Sequence, residues 1–175
     1  AWTSYTLLIV RIHYGQIFLL KLLILTQHLL MRRTIMKILE KPTEQLFRQF
    51  CEGYKKRDLL FILSLFTRNS NMWGSGLDEY REGLKEIEIQ LRRDWSQAEH
   101  GEIEIIKFVP TPQDALWAAA ICNAHVTIDG TKHTFEHLRG TLIAEKEEGI
   151  WKIAHTHCSF PDYRNAENAS FPISG

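Results

Sequence analysis

Net charge, paired cysteines and long apolar runs are all scarce in this 175-residue chain. Lys plus Arg and Asp plus Glu each number 21, and no basic stripe carries interleaved aromatics, so nucleic acid is not expected as a partner. The cysteines are Cys51, Cys122 and Cys158, an odd set without C-x-x-C spacing, which reads as reduced thiols in a cytoplasmic protein. Acids are missing from the segment up to Ile35, which is instead rich in Leu, Ile and Val around Arg11, Lys21 and His28. Its uninterrupted apolar runs, such as Leu22 to Leu25, fall far short of the ~18 residues a membrane span needs, so no membrane partner is expected. No small-residue cleavage pattern follows these runs, which weakens a removable signal peptide. Residues 1–35 are therefore read as an extension outside the native domain, with Met36 or Met31 as the natural start. A helix is the expected form of the Leu-rich part, hiding its apolar side on the domain or a neighbour.

What is present suits one domain. With 45% hydrophobic residues, the remaining chain can bury a single sizeable core over residues 36–161. Thr43 is a plausible N-cap for a first helix in which Phe47, Phe50, Cys51 and Tyr54 recur at helical spacing. Asp58 caps a short second helix, Leu59 to Leu65, apolar nearly all round and so expected to be buried on more than one side. Thr67 to Trp73 reads as an edge strand before the Gly74-Ser75-Gly76 break. Asp78 and Glu79 then open a long helix striped by Tyr80, Leu84, Ile87, Leu91 and Trp95 and ending near Gln97. Ile103, Ile105 and Phe108 mark a strand stopped by Pro110-Thr-Pro112. Two long strands, about Ala115 to Ile128 and Thr131 to Lys146, flank the hairpin signal Asp129-Gly130, and a last strand follows Glu147-Glu148-Gly149. The tail, residues 162–175, has no periodicity, and its Asn168-Ala-Ser170 triplet carries no glycan in a cytoplasmic protein.

The most informative stretch is Trp151-Lys-Ile-Ala-His-Thr-His-Cys-Ser-Phe-Pro161. Strict alternation puts Trp151, Ile153, His155, His157 and Ser159 on one face, apolar at one end and polar at the other, as in the floor of a pocket. A three-residue turn pairing Lys146 with Ile150 sets Arg139 opposite His157, Thr141 opposite His155 and His137 opposite Ser159. The Asp129-Gly130 turn brings Ala118, Ala120, Cys122 and Ala124 to the same face, where small side chains leave room. Trp117, Ile121, Asn123, His125, Lys152 and Thr156 are then expected on the outer face. A one-residue slip exchanges the two sets.

Three helices followed by an antiparallel meander describe an α+β roll. Arg57-Asp58-Leu59 with Leu65-Phe66-Thr67, Trp73-Gly-Ser-Gly76 with Asp78-Glu79, and Arg139-Gly-Thr141, Gly149-Ile-Trp151, Ile153, His155-Thr-His157 and Ser159 together resemble the nuclear transport factor 2-like superfamily. Within it the likeness is to the SnoaL-like, ketosteroid-isomerase-like branch, over about Thr43 to Pro161. The resemblance implies a cone-shaped roll of three N-terminal helices packed on a curved, mainly antiparallel sheet. It also implies a pocket for a small hydrophobic ligand, and a homodimer formed through the outer sheet face. In ketosteroid isomerases a helix-one tyrosine and an aspartate base do the chemistry. Aligning Asp58 and Phe66 puts Phe50 and Gly74 at those places, so that mechanism is not expected.

The candidate catalytic groups are His155 and His157, whose imidazoles titrate near neutrality, with Arg139 to polarise an anionic oxygen. Phe50, Tyr54, Trp73, Asp78, Trp95, Cys122, His137, Thr141, Trp151 and Ser159 are the expected ligand lining. Asp78 and Glu79 are further acid-base candidates whose place at a helix start already has a dipole rationale. His137, His155 and His157 have ligand types that zinc or iron accepts, but the fold relatives work without metal, so neither metal nor cofactor is expected. Cys158, on the other parity, reads as a small buried hydrophobe. The chemistry to weigh is isomerase, dehydratase or cyclase action on a hydrophobic carbonyl compound, against a non-catalytic ligand-binding or dimeric assembly module.

Overall fold

A computed structural model describes residues 21–31 and 41–165. The chain divides into two units, Ala1–Glu40 and Lys41–Gly175. In the first, residues 21–31 form helix α1, as the Leu-rich pattern predicts, with Leu22, Leu25 and Leu29 exposed. No described helix is long and apolar enough to cross a membrane. Residues 1–20, 32–40 and 166–175, with the Met36 start and the Asn168 triplet, lie outside the described residues.

The second unit opens at Pro42, whose fixed φ and missing N–H suit the first helical position. Helix α2 therefore spans Pro42–Lys56 with Lys41 as its N-cap, and the expected cap Thr43 is buried inside the first turn instead. Arg57 ends the helix in a left-handed conformation at φ 56°. Asp58 then caps α3 (Leu59–Leu65), its Oδ1 accepting from the Phe61 amide at 3.1 Å. Only one side of α3 is buried, through Ile62 and Leu65, and Leu60 is exposed.

Strand β1 (Phe66–Trp73) is not an edge: it pairs in parallel with the last strand and antiparallel with β2 (Tyr80–Glu82). The long helix expected from Asp78 is thus delayed. The chain turns back to pair Trp73 with Tyr80, and α4 runs Gly83–Ser96 from a corner where Gly83 holds φ +76°. Strands β3 (His100–Phe108), β4 (Trp117–Ile128), β5 (Thr131–Glu147) and β6 (Ile150–Ser159) complete a mixed, open six-stranded sheet in the order β2-β1-β6-β5-β4-β3. The second unit is an α+β fold.

Two extra residues decide which side chains face the helices. The Asp129-Gly130 hairpin pairs Ile128 with Thr131 as expected, but the register moves from Ala124↔Phe135 to Cys122↔Leu138, leaving a β5 bulge at which His137 takes φ 59°. In β6 the register moves from Ala144↔Ile153 to Ile143↔His155, so Ala154 is the second extra residue. The β5–β6 turn is also tighter than expected: Glu147 pairs with Ile150, with Glu148 and Gly149 both at positive φ. Thr141 therefore lies opposite His157, Ile143 opposite His155, and Arg139 opposite Ser159.

Beyond the bulges the helix-facing set is Leu138, Gly140, Leu142 and Ala144 from β5 and Thr156 and Cys158 from β6, joined as expected by Ala118, Ala120 and Cys122 of β4. Fully buried Phe66, Ile62, Ile87, Leu91, Leu142 and Ile153 each contribute about 1.5–3 kcal/mol of apolar burial. Helix α2 approaches closely over Gly140, where an added Cβ would stand 2.6 Å from Phe47 Cζ.

Candidate functional site

Beneath α2 and α4 the sheet leaves a cavity of about 400 Å³. Phe50 and Tyr54 reach it because they lie one turn apart on the buried side of α2, and Leu91, Asp94 and Trp95 reach it from the last turns of α4. Cys122, Leu138, Leu142 and Cys158 form the sheet wall. Phe50 and Tyr54 have ring centroids 6.3 Å apart, and Tyr54 and Trp95 6.0 Å, making one continuous aromatic panel. Tyr54 lies over Gly101, where an added Cβ would meet its Cε1 at 3.2 Å.

One polar cluster is set into these apolar walls. Tyr54 Oη donates to Asp94 Oδ2 over a long 3.4 Å. Gln90 Nε2 donates to Asp94 Oδ1 at 2.7 Å and to Glu79 Oε1 at 3.1 Å. The Gly74-Ser75-Gly76 turn wraps Glu79, whose Oε2 accepts from the Gly76 amide at 2.6 Å; a Cβ at Gly74 would stand 2.2 Å from that oxygen. The glycines of this turn are thus explained by the carboxylate they enclose. Gln90 Oε1 and Trp95 Nε1 are buried with no hydrogen-bond partner among the described residues.

Burial drives the electrostatics. Desolvation first, with the nearby Glu79 adding to it, pushes the Asp94 carboxyl up to about 6, against hydrogen bonds from Gln90 and Tyr54 that lower it. Desolvation and Asp94 likewise hold the Tyr54 phenol well above its ordinary range. Burial pushes Cys122 up to about 11 and Cys158 up to about 12, so these wall thiols are poor nucleophiles. An acid that changes charge near neutrality beside a phenol donor can give or take a proton from a bound molecule.

Of the residues expected at the site, Phe50, Tyr54, Trp73, Trp95, Cys122 and Thr141 line the cavity. Asp78, His137, Trp151 and Ser159 do not. Asp78 forms a two-pronged pair with Arg93 at 2.8 and 3.1 Å, and Trp151 carries the Lys146 ammonium 5.0 Å above its ring. His137 is spent on the bulge. His155, His157 and Arg139 lie on the far face, because the bulges at His137 and Ala154 invert the alternation beyond them; Thr156, expected outside, lines the cavity instead. There the imidazole of His155 bonds Asn71 Oδ1, and burial together with His157 holds its pKa below the usual histidine range. Asp94 and Gln90 were missed. The available signal was a polar i, i+4 pair interrupting the apolar stripe of α4 beside Ile87 and Leu91.

Comparison with known proteins agrees with this architecture. The SnoaL-like domain family matches residues 43–163. No curated protein matches the chain. Among solved structures, a putative aromatic ring hydroxylase from Novosphingobium aromaticivorans is 18% identical, with a TM-score of 0.58 over 67% of this chain and 85% of that one. A putative calcium/calmodulin dependent protein kinase II association domain from Xanthomonas campestris is 18% identical, with a TM-score of 0.58 over 67% and 84%. An LEH-like epoxide hydrolase from M. tuberculosis is 14% identical, with a TM-score of 0.55 over 70% and 84%. At such identities the likeness is one of fold.

Proposed function

The chain belongs to the SnoaL-like domain family, and on that premise we propose that its cavity binds a small hydrophobic molecule on which Asp94 and Tyr54 perform acid-base chemistry of the isomerase, dehydratase or cyclase kind. The observation that carries this reading is the placement of Asp94 inside an otherwise apolar cavity, held by Gln90 and facing the Tyr54 hydroxyl. Ionised, Asp94 takes a proton from a carbon or oxygen of the bound molecule. Its long bond to Tyr54 leaves the phenol free to turn and donate to an oxygen on which charge develops. The protonated acid then returns the proton elsewhere, with the apolar walls keeping water out. This proton transfer asks for no cofactor. It moves the acid-base role expected of His155 and His157, with Arg139, to the opposite side of the sheet. The odd cysteine count without C-x-x-C spacing favours a reducing, cytoplasmic setting. The test is Asp94→Asn assayed against a panel of hydrophobic carbonyl and hydroxyl compounds: turnover should fall about 10²–10⁴-fold, and unchanged turnover of a substrate of the wild-type protein removes Asp94 from the chemistry.

A second reading concerns assembly. Trp117, Ile121 and Ile143 are 40%, 41% and 43% exposed on the far face of the sheet, with Trp117 directly opposite Ile143. That strip supports a homodimer through this face, with or without catalysis in the cavity. The neighbour named an epoxide hydrolase favours catalysis, and the one named an association domain favours assembly.

A further inference from the structure

We infer that the molecule held in the cavity is a hydrophobic amine, bound as its cation. The inference rests on the cavity being the ligand site and goes further by naming the chemical class. Acceptors predominate at its polar end: beside the Tyr54 hydroxyl stand both oxygens of Asp94, the carboxylate of Glu79, and Gln90 Oε1, which accepts no hydrogen bond among the described residues although Gln90 is only 2% exposed. A buried acceptor left without a donor costs about 1–3 kcal/mol, which a donor on the ligand recovers. An ammonium brings several N–H donors, and a neutral alcohol brings one.

Charge and aromatic surface point the same way. The basic side chains lining the cavity are engaged elsewhere: Arg57 donates to the Ala98 carbonyl at 2.6 Å, and His125 is held by Thr134 and Glu104 at 3.0 Å each. A carboxylate ligand would meet Asp94 and Glu79 at the polar end, where no cationic side chain among the described residues hydrogen-bonds either acid. The panel of Phe50, Tyr54 and Trp95 beside Asp94 lines the cavity with aromatic surface, and a cation over such a ring gains about 0.5–2 kcal/mol. Trp95 Nε1, the unpartnered donor, takes an acceptor atom elsewhere on the same ligand.

Asp94 is faced by Tyr54 from α2, Glu79 from the glycine turn and Cys158 from β6, with Gln90 and Arg93 on its own helix. A cation between these groups favours ionised Asp94. Amine binding should therefore strengthen as pH rises through about 6, the pH near which Asp94 loses its proton.

The test is calorimetry on the intact chain with three probes of one shape: 2-naphthylmethylamine, 2-naphthylmethanol and 2-naphthoate. The amine should bind about tenfold more tightly than the alcohol at neutral pH, with the carboxylate weakest. Its advantage should shrink toward about pH 5 while alcohol binding stays level. Asp94→Asn should bring the amine down to the alcohol. If that variant does not fold, the amine-to-alcohol ratio of the unaltered protein and its pH dependence decide alone. Equal or tighter binding of the alcohol, or preference for the carboxylate, overturns the amine while leaving the ligand cavity in place. Binding of none of the three removes the cavity reading and the amine with it.

Discussion

Gln90 donates to Asp94 Oδ1 at 2.7 Å from one helical turn away, fixing the orientation of a carboxyl that faces an apolar cavity. The same amide nitrogen spends its other hydrogen on Glu79, so two acids are bridged by one buried side chain.

This arrangement makes stability depend on pH in a defined direction. Asp94 is pushed up to about 6 from an ordinary 3.8, so the folded chain binds the proton more tightly than the unfolded chain. The stabilisation is complete below the unfolded value and is lost as pH rises through the interval between the two. Urea unfolding across that interval should show wild-type stability falling by on the order of 1–3 kcal/mol relative to Asp94→Asn, which lacks the titration. Parallel curves for the two proteins would contradict it.

Tyr54→Phe should move Asp94 further up. The Tyr54 hydrogen bond favours the ionised carboxylate, and removing it leaves the desolvation less opposed. A titration of the Asp94 carboxyl carbon by NMR reads this directly, and a fall toward the ordinary aspartate value would be the wrong sign.

Gly140→Ala should cost about 1–3 kcal/mol, because the new methyl group would stand 2.6 Å from Phe47 Cζ. Trimming the ring with Phe47→Leu in the same chain should recover part of the loss in urea unfolding. An alanine variant as stable as wild type would show that α2 has room to shift.

Ile143→Asp should leave the fold in place and yield a monomer by light scattering, since it puts a charge in the exposed strip opposite Trp117. A dimer that survives this substitution would place self-association elsewhere.

Much of the fold could be read from local chemistry. Asp129-Gly130 marks its hairpin because both positions take positive φ, and Ala118, Ala120 and Cys122 alternate correctly onto the core face of β4. The site could not be read this way. One residue inserted at His137 and another at Ala154 move Arg139, His155 and His157 to the opposite face, and neither residue type announces a bulge. Asp78 followed by Glu79 looks like a helix start until Gly83, at φ +76°, sets the real corner. Asp94 was hidden by its type: an acid near a helix end reads as surface until the burial of Gln90 and Leu91 around it is known.

On the proposed function, the helix-covered side of the sheet receives the ligand and the histidine side does not. The direct measurement is an NMR titration of isotopically labelled protein with 2-naphthylmethanol, following the Trp95 indole N–H and the rings of His155 and His157 together. A saturating shift of the Trp95 resonance with both histidine rings unmoved is the expected result. Saturating shifts of His155 and His157 with Trp95 unmoved would contradict it.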